Sequence, residues 1–343
     1  MAHTSSSVTL ADIARLSGVG MGTASRALSN APGVATNTRQ RVLAVAEELH
    51  YVVSPDASAL AKGATGRIGL LVPHLSRWHF GAVVEGLNEV LRDADLDVLL
   101  YQVGNMEDRA RFFERLPPRR KVDALVVIGF PVAEDERRRL ELMGVHIVTV
   151  AVQAGRAPLV HIDDYAAGRR AVDYLVNLGH RRIAMIEAID PDLPGLVPQR
   201  SVAYYEALGD AGIAADPSLV ASGDWGGEQG SVCMGGLLSL RVPPTAVYAH
   251  SDEIALGAIR TIRRAGLRIP QDISVMGIDD HPLASLTDLS TVRQDPNEQG
   301  RMTANTVLAL LGGGEVQPVV TTPTTLIVRG TTAPPGPVSA EVL

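Results

Sequence analysis

The sequence predicts an α/β protein in which a small all-helical amino-terminal domain precedes a larger core of two Rossmann-like lobes. Three observations predict it. The chain has 343 residues, too many for one compact core and enough for two or three domains. Its first fifty residues carry three short segments with helical features. From Arg67 onward, apolar β-type runs alternate with helical segments, the rhythm of buried parallel sheets covered by helices.

The amino-terminal helices follow in order. Thr9, with Asp12 three residues on, is an N-terminal cap candidate, and Leu10, Ile13 and Ala14 form an apolar stripe running to about Ser17. Gly18-Val19-Gly20 makes a tight turn. Met21 to Ser29 is a second helix with Ala24, Ala27 and Leu28 on one face, ended by Asn30-Ala31-Pro32-Gly33. Thr36 to His50 is a third, with Val42, Val45, Ala46 and Leu49 at i, i+3, i+4, i+7 spacing. Two short helices joined by a Gly-containing turn, braced by a third, are a helix-turn-helix pattern. Ser54-Pro55 then opens a short Ala-rich helical stretch through Ala61, and Gly63 and Gly66 mark a linker.

The core strands are expected at Ile68–Val72, Val98–Val103, Ala124–Ile128, Ile147–Val150, Ile183–Ile186, Ala246–Tyr248 and Ser274–Ile278. Helices are expected between them, among them Gly81–Ala94, Ala166–Leu178, Ser201–Ala211 and Glu253–Ala265. The stretch is long for one sheet, so two lobes fit better. Open α/β sheets bind ligands at the carboxyl ends of their strands, and two facing lobes make a cleft there. Thr-Thr-Ala-Pro-Pro-Gly-Pro from Thr331 reads as a disordered tail.

Composition excludes several classes. No apolar run approaches the roughly 20 residues of a membrane span. Met1 to Ser7 is short and polar, without the pattern of a signal peptide, which points to a cytoplasmic protein with no membrane partner. The single cysteine, Cys233, forms no internal disulfide or thiolate metal site. His-x-x-x-His and Cys-x-x-Cys pairs, a Gly-x-x-x-x-Gly-Lys loop and a Gly-x-Ser-x-Gly elbow are all missing, so neither a metal, a cofactor nor an enzyme activity is expected. Gly18-x-Gly20-x-Gly22 follows a helix and not a strand, so it is no dinucleotide fingerprint. Charge is uninformative: residues 1–66 hold five basic and four acidic side chains, a net of +1, within a chain of net −7. Glu134 to Arg139 reads as a solvated helix face, and His180-Arg181-Arg182 as a helix C-terminal cap.

Residues Val8 to Ala14, Gly18-Val19, Thr23 to Leu28, Val34, Thr38-Arg39, Val42 and Leu49-His50-Tyr51 resemble the DNA-binding signature of the LacI/GalR family of bacterial repressors. The likeness continues at Leu178 to Ala184, Ser251 to Ala258 and Asp272 to Asp280, so it covers nearly the whole chain. It implies a homodimer on operator DNA, a periplasmic-binding-protein-like core and no catalysis. The expected domains are residues 1–52 for the helix-turn-helix, 53–66 for a hinge helix and linker, and 67–330 for a two-lobed effector-binding and dimerisation domain. In the last, residues 67–161 and 294–322 form the N-lobe and 162–293 and 323–330 the C-lobe, before a tail of 331–343.

The resemblance makes Met21–Ser29 the recognition helix, with residues near its start touching base edges in the major groove. Met21 and Gly22 match the variable base readers, although Gly22 has no side chain to read with. Thr23, Ser25 and Arg26 are candidates for phosphate or base contact, and Thr9, Asn30 and Arg39 complete the set on this domain. Gly20 stands where the family has a capping Ser. In the hinge, Leu60 aligns with a residue that wedges between base pairs of the minor groove, and Ala57 with the small residue facing the partner helix. Val53 and Asp56 depart from the family there.

For the effector, Asp279 ends a strand at a position that accepts hydrogen bonds from ligand hydroxyls or ring nitrogens, and Arg200 matches a ligand-binding Arg. Trp225 lies where an aromatic ring stacks on a ligand. His74, Arg77, Trp78, His79 and Phe80 share the loop after the first strand, where the family has Asn-Pro-Phe-Phe in place of Arg77 to Phe80. Ser251 replaces the usual Asn, and Lys121 and Gly129 are further candidates. A carboxylate with an Arg in a cleft suits a small polar effector, sugar-like or purine-like. The competing readings are a solute-binding protein, which needs a signal peptide and no helix-turn-helix, and an α/β enzyme acting on a sugar or nucleotide, which needs a phosphate loop or catalytic constellation.

Overall fold

The computed structural model describes residues 8–51, 64–117, 119, 121–152, 155–189 and 197–336. The chain divides into two compact units, one of residues 1–67 with 120–123, the other of residues 68–119 and 124–343.

The first unit holds helices α1 (Leu10–Leu16), α2 (Met21–Leu28) and α3 (Thr36–Glu48). Thr9 and Asp12 cap α1 reciprocally: the Asp12 N–H donates to Thr9 Oγ1 at 3.3 Å, and Thr9 N–H donates to the Asp12 carboxylate at 3.1 Å. Gly18 takes φ +66° in the turn that follows, a conformation that favours glycine. Ile13, Ala14, Ala24, Ala27, Val42 and Ala46 form the buried core, so all three helices contribute. Small alanines at the centre let α2 lie close to its neighbours.

The second unit contains two six-stranded sheets. In chain order its elements are β1 (Arg67–Val72), α4 (Trp78–Asp93), β2 (Asp97–Gln102), α5 (Met106–Arg115), β3 (Ala124–Ile128), α6 (Glu134–Glu141), β4 (His146–Val150), β5 (Leu159–Ile162), α7 (Asp164–Asn177), β6 (Ile183–Ala188), α8 (Gln199–Asp210), β7 (Val220–Gly223), α9 (Gly227–Leu238), β8 (Ala246–Ala249), α10 (Asp252–Arg264), β9 (Ser274–Asp279), α11 (Pro282–Leu286), β10 (Ser290–Arg293), α12 (Pro296–Leu311), β11 (Val319–Thr322) and β12 (Thr325–Ile327). One sheet runs β11-β5-β4-β3-β1-β2 and the other β12-β10-β9-β8-β6-β7. The pairs β1–β3, β3–β4, β4–β5, β5–β11, β6–β7, β6–β8, β8–β9 and β9–β10 are parallel, and β12 is antiparallel to β10. The chain passes between the sheets after β5, after β10 and after β11. Strand order reverses between β1 and β3 in one lobe and between β6 and β8 in the other, which places a crevice at each set of carboxyl ends.

The central strands are apolar and fully buried, as in Ala124–Ile128, with Val83, Leu87 and Leu91 of α4 packed on that sheet. Helices α4 and α12 touch through Gly86 and Gly300: a Cβ on Gly86 would lie 2.0 Å from Asn297 O. In the other lobe Tyr204 and Tyr248 are among the largest fully buried side chains.

Several expectations change. Helix α4 begins at Trp78 and not Gly81, so Trp78, His79 and Phe80 form a first helical turn and not a loop. Strands β5, β7, β10, β11 and β12 carry no long apolar run; Ser290 and Thr291 of β10 are buried yet polar, and hydrogen bonds to Thr332 and Asp252 satisfy them. The segment from Thr331 is no loose tail over 331–336. Thr331 Oγ1 donates to Val275 O and accepts from Ser290 N–H, while Ala333 O accepts from Ser274 Oγ and His180 Nε2. His180 is therefore a buried anchor and not an exposed helix cap. Glu136 also leaves the solvated face: it pairs with Arg109 at 2.7 Å, both side chains mostly buried, with the guanidinium beside the rings of Phe113 and Phe130.

Candidate functional site

In the first unit α2 presents Met21, Gly22 and Arg26 to solvent, while Thr23 and Ser25 are half-buried. Met21 is 60 % exposed, an unusual place for a large apolar side chain unless something covers it. No side chain caps α2 at Gly20, which leaves the Met21 and Gly22 N–H groups open to an anion, while Thr23 N–H donates to Gly20 O at 2.9 Å. Two other predicted DNA contacts have an internal task. Arg39 donates to Asn30 Oδ1 at 2.5 Å and to Ala31 O at 2.6 Å, closing the loop between α2 and α3. Asn30 itself sits at φ +54° past the end of α2. Thr9 is exposed and bound to Asp12. Ala57 and Leu60 lie outside the described residues.

In the second unit the strand ends converge on one cavity of about 380 Å³. His74, Trp78, Phe80, Gly129, Arg200, Trp225, Ser251 and Asp279 all line it. Lys121 does not. It is exposed in the turn before β3, at the amino end of a parallel strand whose carboxyl end, Gly129, faces the cavity; five strand residues separate those ends by about 16 Å. Gly129 has φ +82°, and a Cβ there would lie 2.6 Å from Phe80, so its missing side chain admits the ring.

Arg200, in the first turn of α8, is the hub. Its Nε donates to Asp164 Oδ1 at 2.7 Å, and an Nη1–H donates to His250 O. Nη1 also lies 4.0 Å from Asp279 Oδ1, and the guanidinium sits 5.6 Å from the Trp225 ring. Burial opposes its charge, but the two carboxylates more than offset that and hold its pKa above the usual value. Asp279 ends β9 at φ +130°, followed by Asp280 at φ +58°, a strained turn that aims the carboxylate into the cleft. Gln294 Nε2 donates to Asp279 Oδ1 at 2.6 Å, and Gln299 Nε2 to Gln294 Oε1 at 2.8 Å. Burial pushes the Asp279 carboxyl up to about 6, against the pull of Arg200 and the Gln294 bond. Burial, with Arg200 second, drives His79 down to about 4, and its buried Nδ1 has no hydrogen-bond partner among the described residues.

Residue patterns did not reveal Asp164, Asp224, Glu253, Gln294 and Gln299. Each lies on a loop or first helical turn just past a strand end; Asp164 and Gln294 follow two of the short strands that the sequence hides. Ser201 and His250 stand close to the site without forming an activated nucleophile. His250 Nδ1 accepts from the Ala188 N–H, so Nε2 carries the ring proton toward Ser201, whose Oγ donates to Glu187.

Comparison with known proteins agrees with both units. Residues 9–54 match the family described as bacterial regulatory proteins, lacI family, and residues 172–332 match a periplasmic binding protein-like domain. The chain is 33 % identical over 299 residues to the HTH-type transcriptional repressor CytR of Escherichia coli K12, covering 85 % of this chain and 86 % of that protein. It is 35 % identical over 341 residues to the HTH-type transcriptional regulator MalR of Streptomyces coelicolor, covering 94 % and 96 %. Among solved structures it resembles the lac repressor dimer bound to operator and the anti-inducer ONPF, with a TM-score of 0.82 and 26 % identity over 96 % of this chain and all of that one. It also resembles the regulator CelR in complex with cellobiose, with a TM-score of 0.70 and 28 % identity over 94 % and 99 %.

Proposed function

Because the chain belongs to the lacI family of bacterial regulatory proteins, we propose that this DNA-binding transcriptional regulator is a repressor whose operator affinity is set by a small polar effector in the cleft. The observation that carries the reading is the Arg200–Asp279 pair inside a cavity walled by Trp78, Phe80 and Trp225. A charged, hydrogen-bonding end beside flat rings suits a sugar or a sugar-bearing base. The two tryptophans of the chain both line this cavity, so intrinsic fluorescence reports its occupancy.

On the DNA side, Met21, Gly22, Thr23, Ser25 and Arg26 meet the major groove, and Ala57 and Leu60 act at the hinge. A homodimer places two such helices on a pseudo-palindrome. Exposed Leu283 and Leu286 on α11 support a subunit contact, Leu286 being 79 % exposed. Effector binding changes the angle between lobes and so the spacing of the hinges.

The test is a gel shift of the full chain with the DNA upstream of its own gene at fixed salt, with and without sugars and nucleosides. Retardation that one of these compounds alters is the expected result. No retardation on that DNA, together with turnover of a sugar or nucleotide, favours the enzyme reading instead.

A further inference from the structure

The charge inventory of the cleft narrows the ligand. Four carboxylates line it, those of Asp164, Asp224, Glu253 and Asp279, against two guanidiniums, those of Arg77 and Arg200. Both cations are already engaged. Arg200 holds Asp164 and faces Asp279, and Arg77 donates to Asp224 Oδ1 at 2.7 Å. Glu253 has no ion-pair partner among the described residues, so the lining carries an uncompensated negative charge.

Helix N-termini, the usual alternative anion sites, are also taken. Helices α7, α10 and α12 start at the cavity with Asp164, Glu253 and Glu298 in their first turns. Helices α4 and α8 have no acid of their own there, but the N-cap residue of α4, Arg77, is bound to Asp224, and Arg200 in the first turn of α8 is bound to Asp164. A phosphate, which carries about −1.5 to −2 at neutral pH, would meet an excess of carboxylate and, among the described residues, no unengaged guanidinium. His74 lies close enough to Asp224 to help lower that carboxyl's pKa, so it too faces an acid. The groups left open are suited to neutral partners: the unpartnered Nδ1 of His79, carboxylate oxygens for hydroxyl donors, and three aromatic faces. The volume of about 380 Å³ is at the small end of ligand sites and limits the occupant to one or two rings.

We infer that the cleft takes an uncharged sugar ring, free or attached to a nucleobase, and rejects its phosphate ester. This rests on the reading of the cleft as the effector site. The experiment measures thermal shift and tryptophan fluorescence of the full chain with matched pairs: ribose and ribose 5-phosphate, glucose and glucose 6-phosphate, adenosine and cytidine with their 5′-monophosphates. At low salt a neutral member binds and its ester binds at least about tenfold more weakly, the scale of one like-charge contact in a partly buried site. Glu253→Gln narrows that gap several-fold. Which neutral member binds separates a free sugar from a nucleoside. An ester that binds as tightly as its parent overturns the inference and leaves the cleft reading standing. Absence of any binding in the whole panel removes both.

Discussion

Arg77, the N-cap residue of α4 in one lobe, meets Asp224, in the loop after β7 of the other, at 2.7 Å. Beside them Trp78 lies edge-on to His281, with ring centroids 5.0 Å apart. Both contacts connect the two lobes. The acid is more than half exposed, so the ion pair contributes at most about 1 kcal/mol to stability. Its consequence is kinetic. Arg77→Ala is expected to leave the melting temperature nearly unchanged and to speed ligand dissociation several-fold, read by stopped-flow tryptophan fluorescence. An unchanged off-rate together with a lowered melting temperature counts against a latch.

Arg200 makes a different kind of contact. It is 7 % exposed and serves two carboxylates and a backbone carbonyl at once. Arg200→Ala is expected to abolish the effector response of the gel shift while operator binding persists. Arg200→Lys is expected to fail as well, since a point charge cannot reproduce the fork that spans Asp164 and His250 O. A response retained in Arg200→Lys would reduce the role of this residue to its charge.

Asp279 makes stability depend on pH. Its folded pKa is raised to about 6 from 3.8, chiefly by burial. Between those values the folded state holds more protons than the unfolded state, so stability is fully present below pH 4 as far as this group is concerned and is lost as pH rises toward 6. The loss is on the order of 2–3 kcal/mol. Asp252, also raised by burial and by Asp279, adds to the same slope. Asp279→Asn is expected to flatten, not erase, the fall in urea midpoint between pH 4 and 6. An unchanged slope would mean that Asp279 stays ionised throughout.

Helical spacing and long apolar runs placed α1 to α3 and the central strands, because periodicity and burial are local properties. They did not find β5, β7, β10, β11 and β12, which lack a long apolar run; Ser290 and Thr291 of β10 are polar and are satisfied by partners 39 to 42 residues away. The family likeness brought Arg200, Asp279 and Trp225 to one cavity, yet Asp164 and Gln294 reach it only because the chain crosses between the two sheets after β5 and after β10, and Glu253 because it follows the carboxyl end of β8. Lys121 precedes the apolar run Ala124–Ile128 and so stands at the amino end of β3, the end that the carboxyl-end rule for parallel strands turns away from the cleft.

Arg39, an expected DNA contact, is engaged within its own unit. Its guanidinium is half-buried and bound to Asn30 and Ala31 O, so it holds the turn between α2 and α3. Arg39→Ala is expected to lower the stability of this unit by about 1.5 kcal/mol, the low end for hydrogen bonds to a charged group because the guanidinium is only half-buried. Loosening α2 weakens binding to specific and nonspecific DNA alike. The slope of log affinity against log salt should stay the same, because only a cation that neutralises a phosphate adds to it, by about 0.9 for each phosphate. Titrations at several salt concentrations measure it directly. A slope reduced by that amount assigns Arg39 to a phosphate, and the turn then depends on Asn30 alone.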